Sequence, residues 1–121
     1  MAAVSAGDRD GWLSQYAEDA VLHDPVGGSP LDPDGVGLRG RAALEQFWDI
    51  MIAPNTATFT IDAVHTGGNE AVVVASVSMT LATGQRAAYD GVFVYAVDTA
   101  GRIALVRAYF DLEQLLATLA V

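Results

Sequence analysis

Apolar and polar residues follow two different periods along the chain. Through the first 55 residues the apolar positions recur with helical spacing, and from residue 58 onward they alternate with polar ones. Asp8–Ala20 is predicted to form an amphipathic helix, and Arg41–Ile52 a second helix that Pro54 closes. Between them we expect a short strand over Ala20–Asp24 and a glycine- and proline-rich loop over Gly27–Gly40.

The second part of the chain has the two-residue period of β-strands. Strands are predicted over residues 58–63, 71–81, 85–97 and 102–110. Short turns join the long strands, which predicts an antiparallel meander, and the leucines of 111–121 predict a short amphipathic helix. The pattern therefore indicates an α+β domain whose helices pack on one face of the sheet. A sheet curved around those helices leaves a conical cavity that suits a small molecule.

The composition narrows the classes of function. The 121 residues, 52% of them hydrophobic, suffice for one domain over residues 1–121 with its own core. The net charge of −9, with arginine as every cation, repels phosphate, so neither nucleic acid nor an anionic membrane is expected as a partner. No cysteine and only two histidines argue against thiol chemistry and metal centres. With no signal peptide or membrane segment in the pattern, we expect a soluble cytoplasmic protein without metal or cofactor.

Asp24 is the leading candidate for chemistry. It follows Leu22 in a short strand before Pro25, and strand alternation puts Leu22 and Asp24 on one face. Since Leu22 is apolar, that face is expected to point inward. A carboxylate against apolar walls has a raised proton affinity and can move protons. The alternative is that Asp24 braces the turn at Pro25.

Two further polar residues are interpreted as structural. Alternation turns His23 away from Asp24, which predicts a surface or interface histidine. Asp90 interrupts an apolar strand and could be a second active-site carboxylate. However, it lies opposite the more cavity-like set of Tyr89, Gly91, Phe93 and Tyr95, so its position on the outer face is favoured.

Six segments of the chain resemble ketosteroid isomerases. These segments are Ala6–Leu13, Tyr16–Ala20, His23–Gly27, Leu38–Trp48, Ala100–Ile103 and Arg107–Phe110. The resemblance runs from about Ala6 to Phe110, and its most specific part is Asp24-Pro25-Val26-Gly27. It implies the cone-shaped fold of the nuclear-transport-factor-2-like (cystatin-like) superfamily, which also holds the SnoaL-like polyketide cyclases. In this fold a curved antiparallel sheet has helices on its concave face. The loop 30–37 is closest to actinobacterial steroid Δ-isomerase-like proteins.

The resemblance also assigns roles to particular positions. Asp24 matches the base that moves the proton beside the substrate ketone. Tyr16 matches a supporting tyrosine, and Trp48 stands where another would be. The two residues that polarise the ketone in the family are not matched, since Phe93 occupies the place of the acid. The matching tyrosine would precede Met1, which implies a shortened N-terminal helix.

These observations predict a weak steroid Δ-isomerase-like enzyme that acts on an apolar ketone. The alternatives are a non-catalytic protein that binds steroid- or polyketide-like molecules, and a SnoaL-like cyclase or hydrolase that uses Asp24 on another substrate. The predicted pocket wall consists of Tyr16, Trp48, Phe93 and Phe110. A homodimer is expected through the outer face of the sheet, which carries Val92, Val94 and Ala96.

Overall fold

The computed structural model describes residues 1–119 and contains a mixed, curved sheet of six strands in the order β2-β1-β6-β5-β4-β3. The strands are β1 Tyr16–His23, β2 Leu38–Arg39, β3 Thr56–Gly67, β4 Glu70–Thr80, β5 Arg86–Val97 and β6 Ile103–Tyr109. Strands β3 to β6 form the predicted antiparallel meander. One pair differs from the antiparallel expectation, because β1 runs parallel to β6. Hairpin turns force neighbouring strands to be antiparallel, but no hairpin links β1 to β6.

The register of the meander decides which side chains face the helices. Val73 pairs with Phe93, and Ser76 pairs with Asp90 on the neighbouring strand. Since side chains alternate, Tyr89, Phe93 and Tyr95 share the concave face and Asp90 lies on the outer face. Shifts of register after Ile61 in β3 and after Ala96 in β5 add local bends to the sheet.

The first predicted helix is wrong in its second half. The helix α2 spans only Arg9–Ser14, and the chain from Tyr16 onward is strand β1. A shift of register between Tyr16 and Val21 interrupts the alternation of β1. Tyr16, Ala17 and Ala20 are all buried as a result, and this spacing imitates the stripe of a helix.

Two of the remaining helices agree with the pattern, and a short helix at the start of the chain was not predicted. Helix α1 is Ala2–Ala6, and helix α3 is Arg41–Phe47, which continues into a π-helical turn over Trp48–Ile52. Helix α4 is Leu112–Ala117 and corresponds to the first part of the predicted C-terminal helix. The Asp111 carboxylate caps its N-terminus. Residues 120 and 121 of that prediction lie outside the described residues. Within residues 1–119, no helix is long and apolar enough to cross a membrane.

The loop between β1 and β2 is held by a buried carboxylate. Asp32 is buried and accepts hydrogen bonds from the backbone N–H groups of Val36, at 3.1 Å, and Gly37, at 2.9 Å. These bonds close the glycine-rich segment on itself. The loop thereby brings Ser29 and Pro30 to the wall of the cavity described next.

Candidate functional site

A cavity of about 330 Å³ lies between the concave face of the sheet and the helices. Its volume is at the lower end of the range for sites that bind drug-sized molecules. Most of the lining side chains are apolar, and they come from the sheet, from α1 and α2, and from α4, whose Leu112, Leu115 and Leu116 contribute. The site therefore favours a largely apolar molecule over a charged one.

Asp24 directly follows the last residue of β1 and lies in the wall of this cavity. Leu22 pairs with Val106 of β6, and the backbone N–H of Val26 donates to the carbonyl oxygen of Ala108 at 2.8 Å. Continuing that register places Asp24 beside Ala108, a fully buried residue with a small side chain. Leu22 and Asp24 both line the cavity, as strand alternation requires.

The environment of Asp24 alters its acidity. Burial raises its pKa from 3.8 to about 7, because an apolar wall disfavours the charged form. Its carboxylate makes no hydrogen bond to any residue among 1–119, and its oxygens remain accessible from the surface of the cavity. Asp24 is half-buried and forms part of the cavity wall, so its free carboxylate oxygens are available to a bound molecule. A carboxyl with a pKa near 7 can both take and return a proton at neutral pH.

Three tyrosines share the cavity with Asp24. Burial raises the pKa of Tyr95 to about 12, and the charge of Asp24 adds to the effect. Burial also raises the pKa of Tyr16 and of Tyr89, and in each case Asp24 and Tyr95 contribute. In the described part of the chain, none of these hydroxyls has a protein hydrogen-bond partner, and each of them remains accessible. Each hydroxyl therefore opens into the cavity as a neutral donor.

The sequence reasoning did not assign Tyr89 and Tyr95 to the site. The sequence contained a signal for them, because both lie on the cavity-like face of β5, opposite to the face that carries Asp90. What the pattern lacked was the position of this face relative to Asp24, which comes from a different strand.

The structure brings most of the predicted pocket residues together. Tyr16, Phe93 and Phe110 line the cavity with Asp24. Trp48 is placed elsewhere: it is 3% exposed, packs 5.4 Å from the ring of Trp12, and is not among the described wall residues. The π-helical turn at Trp48 directs this side chain into the core, and Trp12 takes the place on the wall.

The other charged candidates lie on the outer face of the sheet. His23 is in register with Arg107, on the side opposite Leu22. Asp90 is exposed and accepts a hydrogen bond of 2.9 Å from the Ser76 hydroxyl, so its charge stays solvated and is tolerated in this strand. Over residues 1–119, no cluster of three or more potential ligand residues could hold a metal ion.

Known proteins are similar to this chain in sequence. A sequence-family model described as a SnoaL-like domain matches residues 1–106. The curated steroid Δ-isomerase of Nocardioides simplex is 29% identical over 109 residues, which cover 89% of this chain and 80% of that protein.

Two solved structures show similarity over nearly the whole chain. The crystal structure of the Δ5-3-ketosteroid isomerase of Mycobacterium sp. is 36% identical with a TM-score of 0.86, and the match covers 98% of this chain and 89% of that one. A Mycobacterium tuberculosis protein in complex with estradiol-17β-hemisuccinate is 33% identical with a TM-score of 0.86, covering 99% of this chain and 91% of that one. The nuclear-transport-factor-2-like, ketosteroid-isomerase-like fold expected from the sequence is confirmed.

Proposed function

The chain belongs to the SnoaL-like domain family, and on that premise we propose that it is a steroid Δ-isomerase-like enzyme with Asp24 as its base. The observation that carries the proposal is the Asp24 carboxyl, which has no described protein partner and a pKa raised by burial to about 7. It faces a cavity whose walls are otherwise mostly apolar.

The reaction moves one proton within a β,γ-unsaturated ketone. The Asp24 carboxylate takes a proton from the carbon between the carbonyl and the double bond. The electron pair of that C–H bond forms a new double bond, and the carbonyl π electrons move onto the oxygen as a dienolate. Asp24 then returns the proton to the γ-carbon, the charge flows back, and a conjugated ketone remains. The base is regenerated, so no cofactor is required.

The apolar wall contributes orientation and exclusion of water. Phe93 and Phe110 contact the cavity from β5 and from the end of β6, while Trp12 closes it from α2. Flat apolar rings suit such a wall, since aromatic side chains bury large apolar surfaces. A dry site also strengthens each interaction with the charge that develops on the substrate oxygen.

The test is a matched pair of charge-removing substitutions. Asp24→Asn keeps the size of the side chain but removes the base, and turnover of a Δ5-3-ketosteroid should fall by about 10²–10⁴. Asp90→Asn makes the same change on the outer face and should leave turnover within about twofold, as for surface changes remote from a site. Absorbance of the conjugated product gives the rate. Equal turnover in Asp24→Asn and the wild type would exclude Asp24 as the base.

A second candidate function is steroid binding without catalysis. The observation that favours it is Phe93, an apolar residue at the place where the resemblance expects an acid. A related protein of M. tuberculosis has been solved with an estradiol derivative. Because Trp12 lines the cavity, a bound steroid should change its emission, with Trp48→Phe present to isolate the signal. Binding without turnover, in both the wild type and Asp24→Asn, would support this second function.

A further inference from the structure

Proton abstraction beside a ketone creates a negative charge on the substrate oxygen. In a mostly apolar cavity that charge needs a hydrogen-bond donor, and the loss of one such donor typically costs about 10²–10³ in rate. The wall offers three neutral hydroxyls without described protein partners, on Tyr16, Tyr89 and Tyr95. The question is which hydroxyl can reach the oxygen of a substrate whose neighbouring carbon lies against Asp24.

The sheet register separates the three tyrosines. Phe93 pairs with Ala108, and the continued register of β1 places Asp24 beside Ala108, so these three residues form one row. The next row of the same face contains Tyr95, which pairs with Val106. Two strand spacings and a two-residue step then place the Tyr95 Cα about 12 Å from that of Asp24. Both side chains project from the concave face into the same cavity.

The other two tyrosines lie farther away in the same register. Tyr89 is four residues from Phe93 along β5 and stacks on Phe110, with ring centroids 4.6 Å apart. Tyr16 pairs with Ile103 near the opposite end of β6, and its ring lies 4.7 Å from Trp12. Along the strand direction, the row of Tyr95 lies between the rows of these two tyrosines.

We propose that the Tyr95 hydroxyl is the catalytic hydrogen-bond donor to the substrate carbonyl oxygen while Asp24 moves the proton. This assignment rests on the proposed function. The hydroxyl keeps its own proton throughout and donates a hydrogen bond that strengthens as the oxygen gains charge. The carbonyl oxygen is two bonds from the carbon that loses the proton, so donor and base act on the same end of the substrate from different strands.

The chemical state of Tyr95 fits this role. Its pKa is raised to about 12, so the hydroxyl is protonated across the range in which Asp24 ionises. Phe93 lies on the same face two residues away and makes the surroundings of the hydroxyl apolar. A hydrogen bond to a charged oxygen is stronger in such surroundings than in water.

The experiment removes single hydroxyls and keeps each ring. In Tyr95→Phe, kcat for a Δ5-3-ketosteroid should fall by about 10²–10³ with KM little changed, because the hydrogen bond strengthens in the transition state. Tyr109→Phe is the matched control on the exposed outer face and should behave as the wild type. Tyr16→Phe and Tyr89→Phe should lose less than Tyr95→Phe. If Tyr95→Phe does not fold, Tyr95→Met removes the hydroxyl with a more adaptable side chain.

A binding measurement separates this assignment from the proposed function. 2-Naphthol carries an acidic oxygen that resembles an enolate, and naphthalene is the same ring system without it. Tyr95→Phe should weaken 2-naphthol binding at least tenfold and leave naphthalene binding unchanged. If Tyr95→Phe gives this binding result but the wild type shows no turnover, the isomerase function is refuted and Tyr95 remains the hydrogen-bond donor. Unchanged turnover and unchanged 2-naphthol affinity in Tyr95→Phe would overturn the donor assignment, and so would a wild type that does not bind 2-naphthol. A larger loss in Tyr16→Phe or Tyr89→Phe would overturn it as well.

Discussion

Replacing Asp24 with asparagine should stabilise the protein above pH 7 while it removes the proposed base. The reason is that burial raises the pKa of Asp24 from 3.8 to about 7. Between those two pH values the unfolded chain loses the proton and the folded chain keeps it. The free energy of unfolding therefore falls as pH rises through this interval, and the full cost of the buried charge is present above pH 7.

The size of the effect follows from the same pKa change. A rise from 3.8 to about 7 corresponds to about 4 kcal/mol at most, since one pKa unit is worth roughly 1.4 kcal/mol. Asp24 is only half-buried, so solvent screens part of this cost and we expect about 1–3 kcal/mol. The asparagine side chain of the variant cannot ionise, and the stability advantage of Asp24→Asn should vanish below pH 4.

Urea unfolding at pH 4, 5.5 and 8 measures this difference. The Asp24→Asn variant should exceed the wild type at pH 8, by less at pH 5.5, and should equal it at pH 4. Asp90→Asn is the matched control on the outer face and should show no such growth with pH. The kcat/KM of the wild type should also rise with pH, with a midpoint near the pKa of Asp24. A stability difference that is zero or negative at pH 8 would refute the account of a costly buried carboxylate.

The other predictions concern different parts of the molecule. Phe93→Asp should turn over faster than the wild type when the new acid stays protonated in the apolar cavity. A second ionisation in the pH–rate profile would report the titration of this acid. No gain at any pH, in a variant that still binds steroid, would exclude Phe93 as the missing acid's position. Asp32→Ala should lower the free energy of unfolding by about 2–3 kcal/mol, because two backbone donors lose a charged acceptor. Urea unfolding with Asp34→Ala as the exposed control tests this, and equal stability of the two variants would contradict it. A homodimer through the outer sheet face should give twice the 12.7 kDa mass in light scattering, and Val92→Asp should restore the monomer. A monomeric mass for the wild type at micromolar concentration would rule this assembly out.

Local patterns were sufficient to predict most of the elements. The meander follows from apolar–polar alternation and glycine turns, because each hairpin depends on residues close together in the chain. Alternation alone also turned His23 and Asp90 away from the cavity and Asp24 toward it. The family, and with it the cone-shaped fold, was recognisable around Asp24-Pro25-Val26-Gly27.

Long-range pairing decided what local patterns could not. The parallel pairing of β1 with β6 converts the second half of the predicted helix into a strand, and its register shift imitates a helical stripe. The π-helical turn directs Trp48 into the core, although its spacing fits a wall residue equally well.

The sequence by itself determined which residues share a face within one strand, since alternation is a property of the local backbone. Only the tertiary structure decided how faces of different strands meet. Asp24 and Tyr95 are 71 positions apart, and they belong to one cavity because β6 pairs with both of their strands. The raised pKa of Asp24 has the same origin, because its burial depends on walls that distant parts of the chain supply.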